Sequence, residues 1–147
     1  MLRPMSKTNS VLGGGGFHHV AINARDFDRS VRFYCDTLGF RPKISWGEPG
    51  KRAIMLDSGD GNYLEIFEAV NRGPVVEGGA ILHMCFRTSD TRALTERIRA
   101  AGMKITMEPK DITIQTTDHG PGQVPICISF FQGPDGEIVE LFQNTYT

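Results

Sequence analysis

The sequence lacks the features that mark a secreted, membrane-spanning or nucleic-acid-binding protein. Its 3 cysteines are odd in number, far apart and without a CxxC spacing, which favours a reducing compartment. An apolar run of about 18 residues is absent, as is a leader with a cleavage site, so we expect a soluble, cytoplasmic protein and no membrane partner. The 16 basic and 17 acidic residues form no long run of one sign, which argues against nucleic acid as a partner.

The length and the glycine pattern predict one domain behind a tail. A chain of 147 residues is long enough for one well-buried core and too short for two ordinary domains. Residues 1–16 end in four consecutive glycines, whose backbone entropy disfavours a regular element, so we expect a flexible N-terminal tail there. Residues 17–147 are expected to form the domain, with a first module at 17–70 and a second at 80–144.

Both modules show the same order of elements: a strand, a helix and three strands. In the first, these are strand 17–24, a helix from Asp26 or Asp28 to Gly39, and strands 40–46, 52–57 and 62–68. In the second, they are strand 80–87, a helix from Asp90 to Ala101, and strands 104–107, 124–131 and 137–142, with a loop-rich passage over 108–123. The predicted fold class is α+β, with two paired βαβββ modules that form a curved mixed sheet shaped as a cup.

A motif of one histidine and one aspartate opens each module, and one glutamate lies in each closing strand. His19-x6-Asp26 in the first module matches His83-x6-Asp90 in the second. Alternation along the strand places His18 on the opposite face from His19. Matching positions in two modules that pack together predict that four side chains converge on one ion. They are His19, Glu65, His83 and Glu140.

The chemistry of these four side chains favours a transition metal. A carboxylate between apolar neighbours, as in the strand of Glu65 or of Glu140, is costly to bury unless it is neutralised or bound to a cation. Two imidazoles and two carboxylates suit one divalent ion of Zn, Ni, Co, Mn or Fe, whereas Ca and Mg prefer all-oxygen ligands. The alternative is structural: a hydrogen-bonded strand histidine and a solvated glutamate in each module.

Several segments resemble the vicinal oxygen chelate superfamily, which includes glyoxalase I, methylmalonyl-CoA epimerase, fosfomycin- and bleomycin-resistance proteins and extradiol dioxygenases. The similar segments are His19-Val-Ala-Ile, Ser30-Val-Arg-Phe-Tyr34 and Pro134-Asp-Gly136 with Val139-Glu-Leu141. The resemblance implies metal ligands at the four positions named above. It also implies a homodimer, because the paired modules of small bacterial members often come from two subunits.

The same resemblance implies a metal-dependent lyase or isomerase of the glyoxalase I type. Glutamate at position 65 is similar to glyoxalase I, whereas the epimerases usually carry glutamine there. The implied reaction is proton transfer next to a metal-chelated carbonyl of a small-molecule substrate, with Glu140 or Glu65 as the catalytic base. The rival functions are an Fe(II) extradiol-type dioxygenase and a non-catalytic small-molecule binding or resistance protein of the same fold.

One departure from the glyoxalase I pattern bears on the substrate. Four residues after the first ligand histidine, glutathione-dependent members tend to have an arginine, and this chain has Asn23. The matching place in the second module holds Arg87, on the same strand face as His83. We predict that Asn23 and Arg87 bind substrate, with Arg87 holding an anionic group. An ordinary ion pair at the rim is the alternative for Arg87.

Overall fold

The computed structural model describes residues 10–11, 17–74 and 81–147. The predicted tail, apart from Ser10 and Val11, lies outside the described residues, as does the predicted start of the second module at residue 80. The elements are β1 (His19–Ala24), α1 (Phe27–Arg32), a π-helical turn (Phe33–Thr37), β2 (Arg41–Trp46), β3 (Ala53–Asp57), β4 (Tyr63–Glu68), β5 (Met84–Arg87), α2 (Thr91–Ala100), β6 (Lys104–Gln115), β7 (Gln123–Gln132) and β8 (Ile138–Gln143). The α+β class and the two βαβββ modules are confirmed.

The aspartate of each repeated motif caps a helix. The Asp26 carboxylate accepts a hydrogen bond from the Arg29 backbone N–H at 3.0 Å, and the Asp90 carboxylate accepts one from the Ala93 N–H at 3.0 Å. Each cap satisfies a backbone donor that the first helical turn leaves without a partner. The repeated spacing between histidine and aspartate therefore reflects the length of one strand and its short connection to the helix. The two aspartates have a structural role as helix caps.

Each module forms a four-stranded sheet with a parallel pair at one edge. The strand orders are β1-β4-β3-β2 and β5-β8-β7-β6. Ala21 lies opposite Glu65 in the first parallel pair, and Cys85 lies opposite Glu140 in the second. In both modules the histidine precedes the partner of the glutamate by two residues, so histidine and glutamate are diagonal neighbours on one sheet face. We call the two sheet faces that bear these residues the open faces.

The opposite, covered faces of the two sheets share one hydrophobic core with the helices. Phe33, from the π-helical turn, meets Phe131 of β7 edge-on with ring centres 5.9 Å apart, and Phe40 meets Phe86 of β5 at 5.2 Å. Leu64 of β4 and Val139 of β8 are buried in the same cluster. Because the covered faces bury apolar area against each other and the helices, the open faces of the two modules lie on the outside of this core.

The structure corrects the predicted loop over 108–123. β6 continues from Lys104 to Gln115 and pairs with β7, and only residues 116–122 connect the two strands. The pairing contains register shifts between Ile105 and Met107 and between Met107 and Lys110. Such bulges interrupt alternation, and Pro109 lacks the N–H of a ladder hydrogen bond, so the sequence has no clear period there. The loop available to contact substrate is correspondingly short.

Candidate metal and substrate site

Each module presents one histidine and one glutamate in contact. The Nε2 atom of His19 lies 3.1 Å from Oε2 of Glu65, and Nε2 of His83 lies 2.9 Å from Oε2 of Glu140. The exposed side-chain fractions also match: 40% and 34% for the histidines, 11% and 12% for the glutamates. We call these contacts the two His–Glu pairs. Their equal geometry follows from the same diagonal placement on two parallel strand pairs.

The separation within each pair suits two adjacent ligands of one metal ion. Two atoms bonded at about 2.0–2.2 Å and at right angles to one another stand about 2.8–3.1 Å apart. Both measured separations fall in that range. Without an ion, the same separation is that of a hydrogen bond from a ring N–H to a carboxylate. The donor atoms of each pair therefore fit half of a four-ligand site.

One chain does not bring the two His–Glu pairs together. Among the described residues, the structure forms no group of three or more His, Cys, Asp or Glu side chains that could hold an ion. The physical reason is the shared core: the covered faces meet inside the chain, so the open faces with their ligands cannot meet there. The convergence of all four side chains on one ion therefore does not occur within one chain, and each histidine contacts the glutamate of its own module instead.

His18 contacts the first pair, although alternation predicted that it would face away. Its Nδ1 lies 3.0 Å from Nδ1 of His19, and its ring packs on Tyr63 with centres 5.0 Å apart. The nitrogen of His19 that does not face Glu65 is therefore occupied by a neighbour, as is usual for a ligand imidazole. Its position at the end of the strand, where the backbone is less regular, is the signal that sequence reasoning missed. In the second module, Phe130 lies edge-on to His83 at 5.3 Å instead.

The predicted substrate-binding residues occupy equivalent positions on the open faces. Asn23 lies opposite Phe67 in the parallel register, and Arg87 lies opposite Phe142. Both are exposed, and the Arg87 side chain makes neither a hydrogen bond nor an ion pair with a described residue. The alternative for Arg87, an ion pair at the rim, thus has no partner in the described chain. Arg87 lies on the same sheet face as Glu140 of the second His–Glu pair.

Apolar side chains of β7 and β8 and the thiol of Cys85 lie next to the second pair. Val124, Ile126 and Ile128 of β7 are buried in a cluster on the open face, and Phe130 and Phe142 pack against them. The thiol of Cys85 lies beside Glu140. Burial, with a smaller contribution from the Glu140 charge, raises the pKa of Cys85 to about 12. A thiol with this pKa is neutral at physiological pH, which argues against a cysteine nucleophile here.

Comparisons with known proteins identify the family. The model of the Glyoxalase/Bleomycin resistance protein/Dioxygenase superfamily matches residues 16–141, and the chain belongs to that superfamily. The lactoylglutathione lyase of Haemophilus influenzae is 29% identical over 134 residues, 88% of this chain and 93% of that protein. The helices of the described residues include none long and apolar enough to cross a membrane.

Solved structures share the fold at low identity. A glyoxalase I mutant from Zea mays superposes with a TM-score of 0.67 at 23% identity, covering 86% of this chain and 43% of that one. A genomically encoded fosfomycin resistance protein from Listeria monocytogenes, in complex with Mn(II) and sulfate, superposes with a TM-score of 0.63 at 18% identity, covering 90% of this chain and 93% of that one. These two proteins are named for different functions, so the shared fold alone does not identify the function.

Proposed function

We propose that this protein is a metal-dependent lyase or isomerase of the glyoxalase I type, which moves a proton next to a carbonyl of a small substrate. The observation that carries the proposal is the repeated His–Glu pair, with separations of 3.1 Å and 2.9 Å that suit adjacent metal ligands. The similarity to a curated lactoylglutathione lyase along almost the whole chain supports this class of reaction over the others in the superfamily.

The ligand set is completed by a second copy of the chain. In a two-fold dimer, the first open face of one subunit meets the second open face of its partner, and each of the two sites receives one His–Glu pair from each subunit. An apolar surface on the first open face supports this arrangement: Ile44, Trp46 and Phe67 are 54%, 43% and 37% exposed. Covering them in a dimer would remove apolar area from water while it brings the ligands together.

Each residue of the completed site has a task that its chemistry suits. His19, Glu65, His83 and Glu140 would hold one divalent ion of Zn, Ni, Co, Mn or Fe, which supplies Lewis-acid polarisation of the substrate carbonyl. Glu140 or Glu65 takes the proton from one carbon and returns it to the neighbouring position. The Asn23 amide and the Arg87 guanidinium orient the substrate, and the buried β7 residues below Arg87 exclude water from one side.

Metal analysis and an assay with methylglyoxal plus a thiol test this function directly. We expect the purified protein to bind one divalent ion per chain and to lose turnover when a chelator removes it. Glu140→Gln keeps an oxygen ligand but removes the base, so it should retain most of the metal and lose about 100-fold or more in kcat. Glu48→Gln, at an exposed turn, is the matched control and should behave as wild type. Full turnover without metal would contradict the proposal.

Arg87 provides a second test, directed at the substrate. Truncation to Ala removes a charged hydrogen-bond donor, so we expect KM for an anionic substrate to rise about tenfold or more, with the metal content unchanged. Lys51→Ala changes the charge equally at an exposed position outside the site and should leave KM unchanged. If Arg87→Ala had the same KM and kcat as wild type, Arg87 would not be a substrate-binding residue.

Two other functions of the same fold predict different results in these assays. An Fe(II) ring-cleaving dioxygenase would consume oxygen with catechols, and Glu65 as a fourth protein ligand counts against it, since such enzymes use two histidines and one carboxylate. A resistance or carrier protein would bind its ligand tightly and release it unchanged, which mass spectrometry would show.

A further inference from the structure

A second cleft lies where the two modules join, and it shares no lining residue with either His–Glu pair. Its volume is about 450 Å³, within the usual range for a small-molecule site. It is lined by residues from the β1–α1 connection, the segment after β4 and the turn before β8: Arg25, Asp26, Arg29, Arg72, Pro134 and Asp135. The cleft therefore brings three arginines and two aspartates together at the boundary of the two modules.

The two carboxylates of the cleft already have partners of their own. Asp26 caps α1 through the Arg29 backbone N–H at 3.0 Å. Asp135 is buried and accepts hydrogen bonds from the Arg25 backbone N–H at 2.8 Å and from the Ser30 hydroxyl at 2.6 Å. Its contact with the Arg72 guanidinium, at 3.5 Å, is long. Neutral donors thus satisfy most of the carboxylate oxygens, and the arginines are left with donors to spare.

The arginine side chains have unused donors. The Arg25 guanidinium donates to the Arg72 carbonyl at 3.0 Å, and it has no carboxylate partner in the described chain. The Arg29 side chain makes no hydrogen bond or ion pair with a described residue. Arg72 is held by the Asp135 backbone carbonyl, while its buried Nε atom finds no acceptor among the residues that the structure describes. Arg25 and Arg29 line the cleft with spare donors, from which a bound anion would accept hydrogen bonds.

We propose that this cleft binds an oxyanion with a phosphoryl group, separately from the metal site. Arginine donors are arranged as planar forks that match the oxygens of a phosphoryl group, and the concave, partly desolvated setting strengthens each contact. The phosphoryl group would belong to free phosphate or to a small phosphorylated molecule, and the cleft is large enough for either. Because the cleft joins both modules, the bound anion also ties the β1–α1 connection to the turn before β8.

Titration calorimetry with metal-free full-length protein tests the proposal apart from any catalytic function. The two probes are inorganic phosphate and glycerol 3-phosphate, each at constant ionic strength with chloride as the reference anion. We expect saturable binding of at least one probe, and the tighter of the two identifies the source of the phosphoryl group. Arg25→Gln and Arg29→Gln should each weaken that binding about tenfold.

Arg32→Gln is the matched control, because Arg32 is an exposed residue of the same helix that lies outside the cleft. It should bind as wild type. Absence of saturable binding of both probes up to tens of millimolar, or equal weakening by Arg32→Gln, would overturn the proposal. If Arg25→Gln fails to fold through loss of its contact with the Arg72 carbonyl, the exposed Arg29→Gln decides the outcome alone.

Discussion

At the scale of single residues, His18 and His19 are neighbours with different tasks. His19 faces Glu65 through Nε2, and its Nδ1 meets Nδ1 of His18 at 3.0 Å. One ring must donate and the other accept, so His18 fixes the proton arrangement and the rotation of the His19 ring. The second module uses the Phe130 ring against His83 instead. The two His–Glu pairs are alike in their own residues and differ in the side chain that packs against the histidine.

His18→Ala is expected to weaken metal binding without removing a ligand. Loss of a partner that orients a ligand imidazole typically lowers metal affinity about 10- to 100-fold, and we expect a change of that size here. Competition with a chromophoric chelator measures the affinity. His119→Ala, in an exposed loop, is the control and should leave it unchanged. Unchanged affinity in His18→Ala would show that His18 is only a stacking partner of Tyr63.

At the scale of elements, the turn between β7 and β8 connects the modules. The Tyr34 hydroxyl, in the first module, donates to Oε1 of Glu137 at 2.6 Å, and the Asp135 N–H donates to Oε2 of the same carboxylate at 2.8 Å. Burial raises the pKa of Glu137 above its ordinary value and also raises that of Tyr34, which keeps the hydroxyl a neutral donor. Gly133 lies beneath this carboxylate, at the start of the turn.

Gly133→Ala is expected to destabilise the protein through Glu137. A Cβ at position 133 would overlap Oε1 and Cδ of Glu137, so the carboxylate would have to leave its two donors. Loss of these hydrogen bonds in a half-buried setting should lower the free energy of unfolding by about 1–3 kcal/mol. Urea denaturation measures it. Gly73→Ala, where a Cβ meets nothing within 4 Å, is the control. An unchanged midpoint in Gly133→Ala would contradict the link.

At the scale of the whole molecule, the order of the layers decides how many chains make a site. Phe33 and Phe131 join the covered faces in one core, so the open faces cannot close on each other within a chain. A single chain therefore offers the two His–Glu pairs separately, and the proposed homodimer would bring one pair from each subunit together. Similar burial and similar spacing in the two His–Glu pairs agree with their proposed use as halves of one site.

Mixing two inactive variants tests this assembly. His19→Ala and His83→Ala each remove one ligand from every site of their own homodimers. In a mixed dimer, one site loses both histidines and the other keeps both, so refolding an equal mixture together should restore about a quarter of the wild-type sites with full metal affinity. Metal titration of the refolded mixture counts these sites. A mixture of His19→Ala and His19→Gln is the control and should restore none, and no recovery in the first mixture would contradict shared sites.

The sequence by itself determined the local architecture. Capping aspartates, strand alternation and the repeated spacing predict the two βαβββ modules, with one histidine and one glutamate at matching places in each, because these features depend on residues close together in the chain. Where alternation failed, at the strand end with His18 and at the bulges of β6, local geometry departed from the ideal period. The tertiary structure alone decided which sheet faces meet. Both faces of each sheet carry apolar residues, so the sequence does not tell which face is buried. Only the tertiary packing shows that the faces with the His–Glu pairs lie outside the shared core.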